Sequence, residues 1–110
     1  MTYHVEVTQP ADADADDIYR YIAQRSPQGA RSWWQAFLDS LEELRRGPAN
    51  LMKAPESDAF DEPLYQLLFS TRRGNTYRAL FVVREETVYV LRVRGFGQRL
   101  VVPDDILPPE

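Results

Sequence analysis

The sequence predicts an α+β domain in which an N-terminal strand and a helical hairpin pack on one face of a mostly antiparallel four-stranded sheet. Three observations predict this β-α-α-β-β-β order. Polar and apolar residues alternate near the N-terminus. Two stretches between residues 11 and 46 then place apolar residues three and four positions apart, as amphipathic helices do. Alternation returns between residues 64 and 94, where turn residues interrupt it twice.

Size and composition restrict the class of protein. A chain of 110 residues is one domain by length, which we place at residues 1–99 with a C-terminal tail at 100–110. It contains no cysteine and a single histidine, His4, so neither a disulfide scaffold nor a histidine or thiolate metal site is expected. We predict no cofactor. We see no signal sequence after Met1, and every apolar run is shorter than the about 20 residues that a membrane-spanning helix needs. We therefore expect a cytoplasmic protein with no membrane partner.

The first strand and the first helix are separated by a proline. Thr2–Thr8 has its apolar side chains at odd positions, which is typical of a half-buried strand. Gln9-Pro10 ends the strand because proline has no N–H to donate to a sheet. Helical spacing begins at Ala11, and Ser26-Pro27 ends the first helix and starts the second.

The second helix has the stronger apolar pattern and contains two adjacent tryptophans. Trp33 and Trp34 point about 100° apart around the helix, so one can enter the core while the other stays partly exposed. Because an exposed tryptophan often marks a partner surface, we name both as candidates, with core packing as the alternative. Gly47-Pro48 ends the helix, and the proline-rich, acidic residues 47–63 predict a linker.

Three further strands are predicted as a meander. They cover Leu64–Thr71, Tyr77–Val83 and Val88–Arg94, with turns at Gly74-Asn75 and Glu85–Thr87. In the last two strands, strict alternation places the even-numbered residues on one face and the odd-numbered residues on the other. The helices can cover only one face, so we expect the even-numbered face to be open to solvent.

Arginines concentrate in these strands. Residues 64–99 contain seven arginines and two glutamates, whereas residues 1–63 are rich in acids and the whole chain has a net charge of −4. Alternation places Arg78, Arg92 and Arg94 together on the predicted open face. Guanidinium groups bind carboxylates and phosphates bidentately, so this face is predicted to bind an anionic partner. The alternative is a solvated face on which arginine stems cover apolar side chains.

Further residues extend this candidate surface at the strand ends. Arg72 and Arg73 lie beside a turn, where the alternative role is charge protection of a strand end. Phe96, between two glycines, is either a core residue or an exposed ring. The candidate binding set is Arg72, Arg73, Arg78, Arg92, Arg94 and Arg99, with Trp33, Trp34 and Phe96 as a candidate partner surface; no residue is assigned a catalytic role.

Short motifs spread over residues 2–99 carry a family resemblance. They are Asp17-Ile18, Tyr21-Ile22, Ser26-Pro27, Tyr77-Arg78 and Val90-Leu91-Arg92-Val93-Arg94. Together they resemble the ParE/RelE-type toxins of type II toxin–antitoxin modules, also called plasmid stabilisation proteins. The resemblance implies the same α+β architecture, a bacterial cytoplasmic setting and a small cognate antitoxin that wraps the toxin.

Two activities occur among such toxins, and the resemblance is closer to ParE. RelE-like members are ribosome-dependent mRNA endonucleases with lysines in the middle of the chain and a tyrosine near the C-terminus. Here Lys53 is the only lysine, and neither tyrosine nor histidine follows Arg99. The resemblance therefore implies growth inhibition through DNA gyrase, without sequence-specific DNA binding by this chain. The alternative is a RelE-like endoribonuclease.

Two departures from the family pattern leave a third alternative. Many relatives end the last strand with Val-Arg-His-Gly, whereas this chain has Arg94-Gly95-Phe96-Gly97. Many family toxins are basic, whereas this chain is acidic. A weakly toxic or inactive homologue that acts only by binding an antitoxin is consistent with both departures.

Overall fold

The computed structural model describes residues 2–48, 51–71, 74–95 and 98–105. Its helices are α1 and α2, and its strands are β1 to β5. Their bounds are β1 His4–Val7, α1 Gln9–Ala23, α2 Pro27–Arg46, β2 Met52–Lys53, β3 Tyr65–Ser70, β4 Thr76–Arg84 and β5 Thr87–Gly95. Two short 3-10 turns, Pro55–Ala59 and Pro103–Asp105, lie in the linker and the C-terminal segment. The predicted α+β class is confirmed.

The sheet has five strands rather than the predicted four, in the order β1-β5-β4-β3-β2. β1 runs parallel to β5, and every other neighbouring pair is antiparallel. The additional strand is β2, in which Met52 pairs with Gln66 and Lys53 with Tyr65. Two residues are too few to show a period of two, so the sequence pattern did not reveal this strand.

Local sequence explains the helix starts. α1 begins at Gln9 rather than at Ala11, because Pro10 is accommodated in the first turn, where the helix needs no N–H from it. α2 begins after Ser26, whose hydroxyl oxygen accepts the Gly29 N–H at 2.9 Å. Such a cap satisfies a backbone N–H that has no partner within the helix.

Aromatic side chains fill the core between the helices and the sheet. Trp33 is 1% exposed and stacks on Phe37, with ring centroids 5.5 Å apart. Phe69 and Tyr77 reach the Trp33 ring from the sheet. In this structure Trp33 is therefore a core residue rather than a surface residue, whereas Trp34 is half-buried beside Tyr19.

Much of the second face of the sheet is covered, so the expectation of a fully open face is wrong. The linker and the C-terminal segment lie over it and close a second apolar cluster. Its buried members are Ala54, Leu64, Leu80, Val82, Leu91 and Val101. The strands present apolar side chains on this face, and covering them removes apolar surface from water.

A β-bulge decides which side chains reach the second face. Leu80 pairs with Arg92 while Phe81 pairs with Val90, so Leu91 is the extra residue of β5. The bulge reverses the alternation, and the even-numbered valines of β5 therefore pack in the helix-side core. The prediction that these valines share a face with the β5 arginines is wrong.

Candidate functional site

Arg78 lies opposite Arg94 in the β4–β5 pair and faces the linker. Its two terminal nitrogens donate to the carboxylate oxygens of Glu56 at 2.7 and 2.5 Å. One of them also donates to Gln66 at 3.0 Å. The Glu56 side chain is 2% exposed, so this bidentate pair binds the linker to the sheet from inside the protein.

Glu56 also connects the linker to the C-terminal segment. Its carboxylate accepts the Val101 N–H at 3.0 Å. Burial alone would raise the pKa of Glu56, but the hydrogen bonds from Arg78 and Val101 outweigh it and hold the pKa below its usual value. One buried carboxylate thus holds three separate parts of the chain together.

Arg92 is paired with a carboxylate from the first helix. Its Nε and one terminal nitrogen donate to Asp14 at 2.7 and 2.8 Å. Asp14 also accepts the Val93 N–H at 2.9 Å. β5 extends beyond Val90, where its pairing with β1 ends. There the Asp14 side chain of α1 accepts a backbone N–H of β5 that has no partner from β1. The hydrogen bond with Asp14 raises the pKa of Arg92.

Arg94 and Arg99 meet the carboxylate of Asp105 in the C-terminal segment. Arg99 donates to both carboxylate oxygens at 2.7 Å. A terminal nitrogen of Arg94 lies 3.7 Å from the same carboxylate, and Arg92 donates to the Asp105 backbone carbonyl at 2.7 Å. The hydrogen bonds from Arg99, and after them the one from the Val102 N–H, lower the pKa of Asp105.

Each described arginine of the candidate set therefore faces a carboxylate, and all but Arg99 are largely shielded from solvent. The four that the structure describes are Arg78, Arg92, Arg94 and Arg99. Their partners come from the first helix, the linker and the C-terminal segment, so counting acids within residues 64–99 underestimated the available negative charge. Arg72, Arg73 and Phe96 lie outside the described residues.

A concave surface runs beside these ion pairs. One groove of ≈ 300 Å³ lies on the second face and is lined by Arg78 and Gln66, with Leu68 and Leu100 among its apolar residues. Those leucines are 47% and 54% exposed. A groove that combines exposed apolar side chains with a polar group in its wall is a candidate protein-binding surface.

A second groove lies at the end of the sheet and shares lining residues with the first. The second groove has a volume of ≈ 550 Å³ and shares Tyr77, Gly95 and Gln98 with the first. Tyr21 of α1 also lines the second groove and is an exposed aromatic residue, with the Arg25 guanidinium 5.0 Å from its ring centroid. We call the two grooves together the Tyr77 surface.

The sequence pattern did not identify the Tyr77 surface, although it contained signals for it. Leu68 interrupts the apolar-polar alternation of β3 by placing a leucine on the opposite face from Leu67 and Phe69. Tyr21 lies next to the apolar stripe of α1 rather than within it. Both are large apolar residues at positions where alternation or helical spacing predicts exposure.

One edge of the sheet is only partly paired. β2 pairs with the first two residues of β3, Tyr65 and Gln66. Across the described ranges, residues 67–70 pair with β4 on one side and with no strand on the other. A further groove of ≈ 330 Å³ lies between this edge and α2. Such an edge can accept a strand from another chain.

The described residues contain neither a metal-ligand cluster nor a membrane-spanning helix. In the part of the chain that the structure describes, no three His, Asp or Glu side chains are grouped as metal ligands. Within the same residues, neither helix combines the length and the hydropathy that crossing a bilayer requires.

Comparison with known proteins matches this architecture. A family model described as the ParE toxin of type II toxin–antitoxin systems, parDE, matches residues 5–98. A solved chain from a chromosomal ParDE toxin–antitoxin system of P. aeruginosa superposes with a TM-score of 0.63. It is 21% identical, and the alignment covers 86% of this chain and 96% of that one, a similarity that concerns the fold. The curated proteins gave no match.

Proposed function

We propose a function for this chain, which belongs to the ParE toxin family of type II toxin–antitoxin systems: it inhibits DNA gyrase and is neutralised by a cognate antitoxin. The family match over residues 5–98 carries this proposal, because it includes both helices and the strands that form the Tyr77 surface. The proposed place of action is the bacterial cytoplasm.

We propose the Tyr77 surface and the adjoining β3 edge as the antitoxin contact. Leu68, Leu100 and Tyr21 supply exposed apolar area, and the edge at residues 67–70 offers backbone groups to an added strand. The arginines keep a role in this proposal by binding acidic groups of the antitoxin in exchange for internal carboxylates. Arg72 and Arg73 stay predicted contacts.

The activity is tested by expressing the chain without its antitoxin and assaying gyrase with the purified chain. We expect growth arrest and loss of DNA supercoiling, and both effects should disappear when the antitoxin is added. Normal growth together with unchanged supercoiling would refute the proposal. Arrest with intact supercoiling and cut ribosome-bound mRNA would instead establish the endoribonuclease alternative.

The contact surface is tested by comparing antitoxin binding after substitution of two different exposed leucines. Leu68→Arg should weaken antitoxin binding by roughly tenfold or more, because it places a charge in the apolar part of the interface. Leu38→Arg is the matched control, since Leu38 is also exposed but lies on α2 and lines neither groove of the Tyr77 surface. Equal losses in the two variants would argue against this surface.

A further inference from the structure

Three arginines converge on the turn Pro103–Asp105. Arg99 binds the Asp105 carboxylate with two hydrogen bonds, and Arg92 binds the backbone carbonyl of the same residue. The Val102 N–H donates to that carboxylate at 3.0 Å and closes the turn. A single aspartate therefore occupies a site built by several positive groups.

The site has hydrogen-bonding capacity that Asp105 does not use. Arg94 is only 8% exposed, and its Nε has no hydrogen-bond partner among the residues that the structure describes. A terminal nitrogen of Arg94 lies 3.7 Å from an Asp105 carboxylate oxygen, which is beyond hydrogen-bonding distance. Buried donors normally have acceptors, so Arg94 can bind a further oxygen.

Charge leads to the same conclusion. Among the side chains that the structure describes, Arg92, Arg94 and Arg99 face two carboxylates, those of Asp14 and Asp105, so three positive charges meet two negative ones there. Burial, followed by the neighbouring Arg92, lowers the pKa of Arg94, which is the expected effect of a crowded guanidinium. A ligand with more than one acidic group would satisfy the site better than Asp105 alone does.

The present occupant indicates the chemistry of the ligand. It is an aspartate side chain with an adjacent peptide carbonyl, and exposed apolar residues Leu100 and Val102 precede it in the chain. Apolar side chains beside a carboxylate fit an acidic peptide.

We propose that Arg92, Arg94 and Arg99 form a carboxylate-binding site for an acidic partner peptide, and that Asp105 fills this site in the free chain as an internal stand-in. The partner displaces residues 102–105. Val101 stays in place because it is buried in the second apolar cluster and bound to Glu56. The inference rests on the proposed function only in naming the partner as an antitoxin segment.

Binding of a tetra-aspartate peptide to the purified full-length chain tests the site. Asp105→Asn removes the internal competitor, so the peptide should bind roughly tenfold more tightly than to the unaltered chain, since a site that is mostly occupied binds in proportion to its free fraction. Asp58→Asn is the matched control, because it makes the same charge change at an exposed acid of the linker turn. Equal affinities in the two variants would overturn the proposal.

A second readout uses the unaltered chain and does not depend on the variant folding. When the peptide saturates the site, the NMR signal of the Val102 amide should shift because its acceptor, Asp105, leaves. The Val101 amide, bound to Glu56, should stay in place. A bound peptide that leaves the Val102 signal unchanged would contradict displacement.

Inorganic phosphate and pyrophosphate distinguish carboxylate from phosphate binding. If they bind Asp105→Asn more tightly than tetra-aspartate does, the assignment to an acidic peptide is wrong. The test is also separate from the proposed function. Failure here with intact gyrase inhibition refutes only the site, and peptide binding without gyrase inhibition refutes only the function.

Discussion

The two faces of the sheet are closed in different ways. On one face, two consecutive helices lay an aromatic core around Trp33 and Phe37 against the strands. On the other face, the linker and the C-terminal segment cover a smaller apolar cluster and are held by arginine–carboxylate pairs. The first cover is continuous in sequence and apolar, whereas the second is assembled from distant segments and is partly polar.

The difference shows that the two covers serve different purposes. Apolar packing is non-directional and stabilises in proportion to the area buried. A buried ion pair adds little net stability over apolar residues of the same shape, but losing one partner is costly because it leaves an unpaired charge. The helix face therefore supplies stability, and the arginine face fixes the position of two irregular segments.

The largest expected effect is on the helix face. Trp33→Ala should lower the free energy of unfolding by about 4 kcal/mol, because it removes a buried ring and leaves a cavity. Trp34→Ala is the matched control and should cost less than half as much, since Trp34 is half-buried. Urea denaturation measures both variants, and equal losses would show that the core is not centred on Trp33.

Breaking the buried ion pair should have the next largest effect. Glu56→Gln leaves the Arg78 charge without its carboxylate and should cost about 3 kcal/mol. Glu62→Gln removes a partner of Arg84 in an exposed pair and should cost under about 1 kcal/mol. If urea denaturation gives the same loss for both, the second face does not depend on its buried carboxylate.

Breaking the contact between α1 and β5 should cause the third largest loss of stability. Asp14→Asn removes the charge that binds Arg92 and weakens the acceptor of the Val93 N–H, so we expect a loss of about 2 kcal/mol. Asp16→Asn, two residues away in an exposed pair with Arg20, should change stability by no more than about 0.5 kcal/mol. Thermal unfolding of the two variants is the measurement. A larger loss for Asp14→Asn shows that Asp14 stabilises the contact with β5, whereas equal losses would show that it acts only within the helix.

Acid should weaken the arginine face gradually. The folded-state pKa of Glu56 lies below its usual value, so the unfolded chain takes up the proton first as the pH falls. The stabilisation from Glu56 is therefore complete above a pH of about 4.5 and is lost as the pH falls further toward the folded-state pKa. One such group changes the free energy of unfolding by at most about 1.4 kcal/mol per pH unit.

This dependence is measured as unfolding free energy between neutral and acid pH. Glu56→Gln should show a shallower acid slope than the unaltered chain. The slope should not vanish, because the pKa of Glu62 and that of Asp105 are also lowered by their arginine partners. Identical slopes would mean that the buried pair contributes nothing to acid sensitivity.

Much of the fold was predictable because its signals are local. The helical period of α2 and the proline positions marked the hairpin, and the alternation in β3 and β4 marked the meander. The family resemblance found in the short motifs is confirmed by the match over residues 5–98. The two-residue β2 was missed because so short a strand has no measurable period.

The candidate surface was harder to predict because its partners are far apart in sequence. Asp14 has the position of an acid near a helix start, yet it binds Arg92, 78 residues away. Val101 belongs to a segment predicted to be a tail, yet it is buried. The bulge at Leu91 reverses which side chains of β5 point to each face of the sheet. The alternation within a single strand does not predict where such an extra residue occurs.

The sequence by itself determined the order of helices and strands, the apolar content of the helix face and the excess of arginine in the closing strands. These follow from periodicity and composition, which act over a few neighbouring residues. Only the tertiary structure decided that the second face is covered and that each described arginine of the candidate set meets a carboxylate. Ion pairing depends on distance in space, and chain folding brings together charges that the sequence keeps apart.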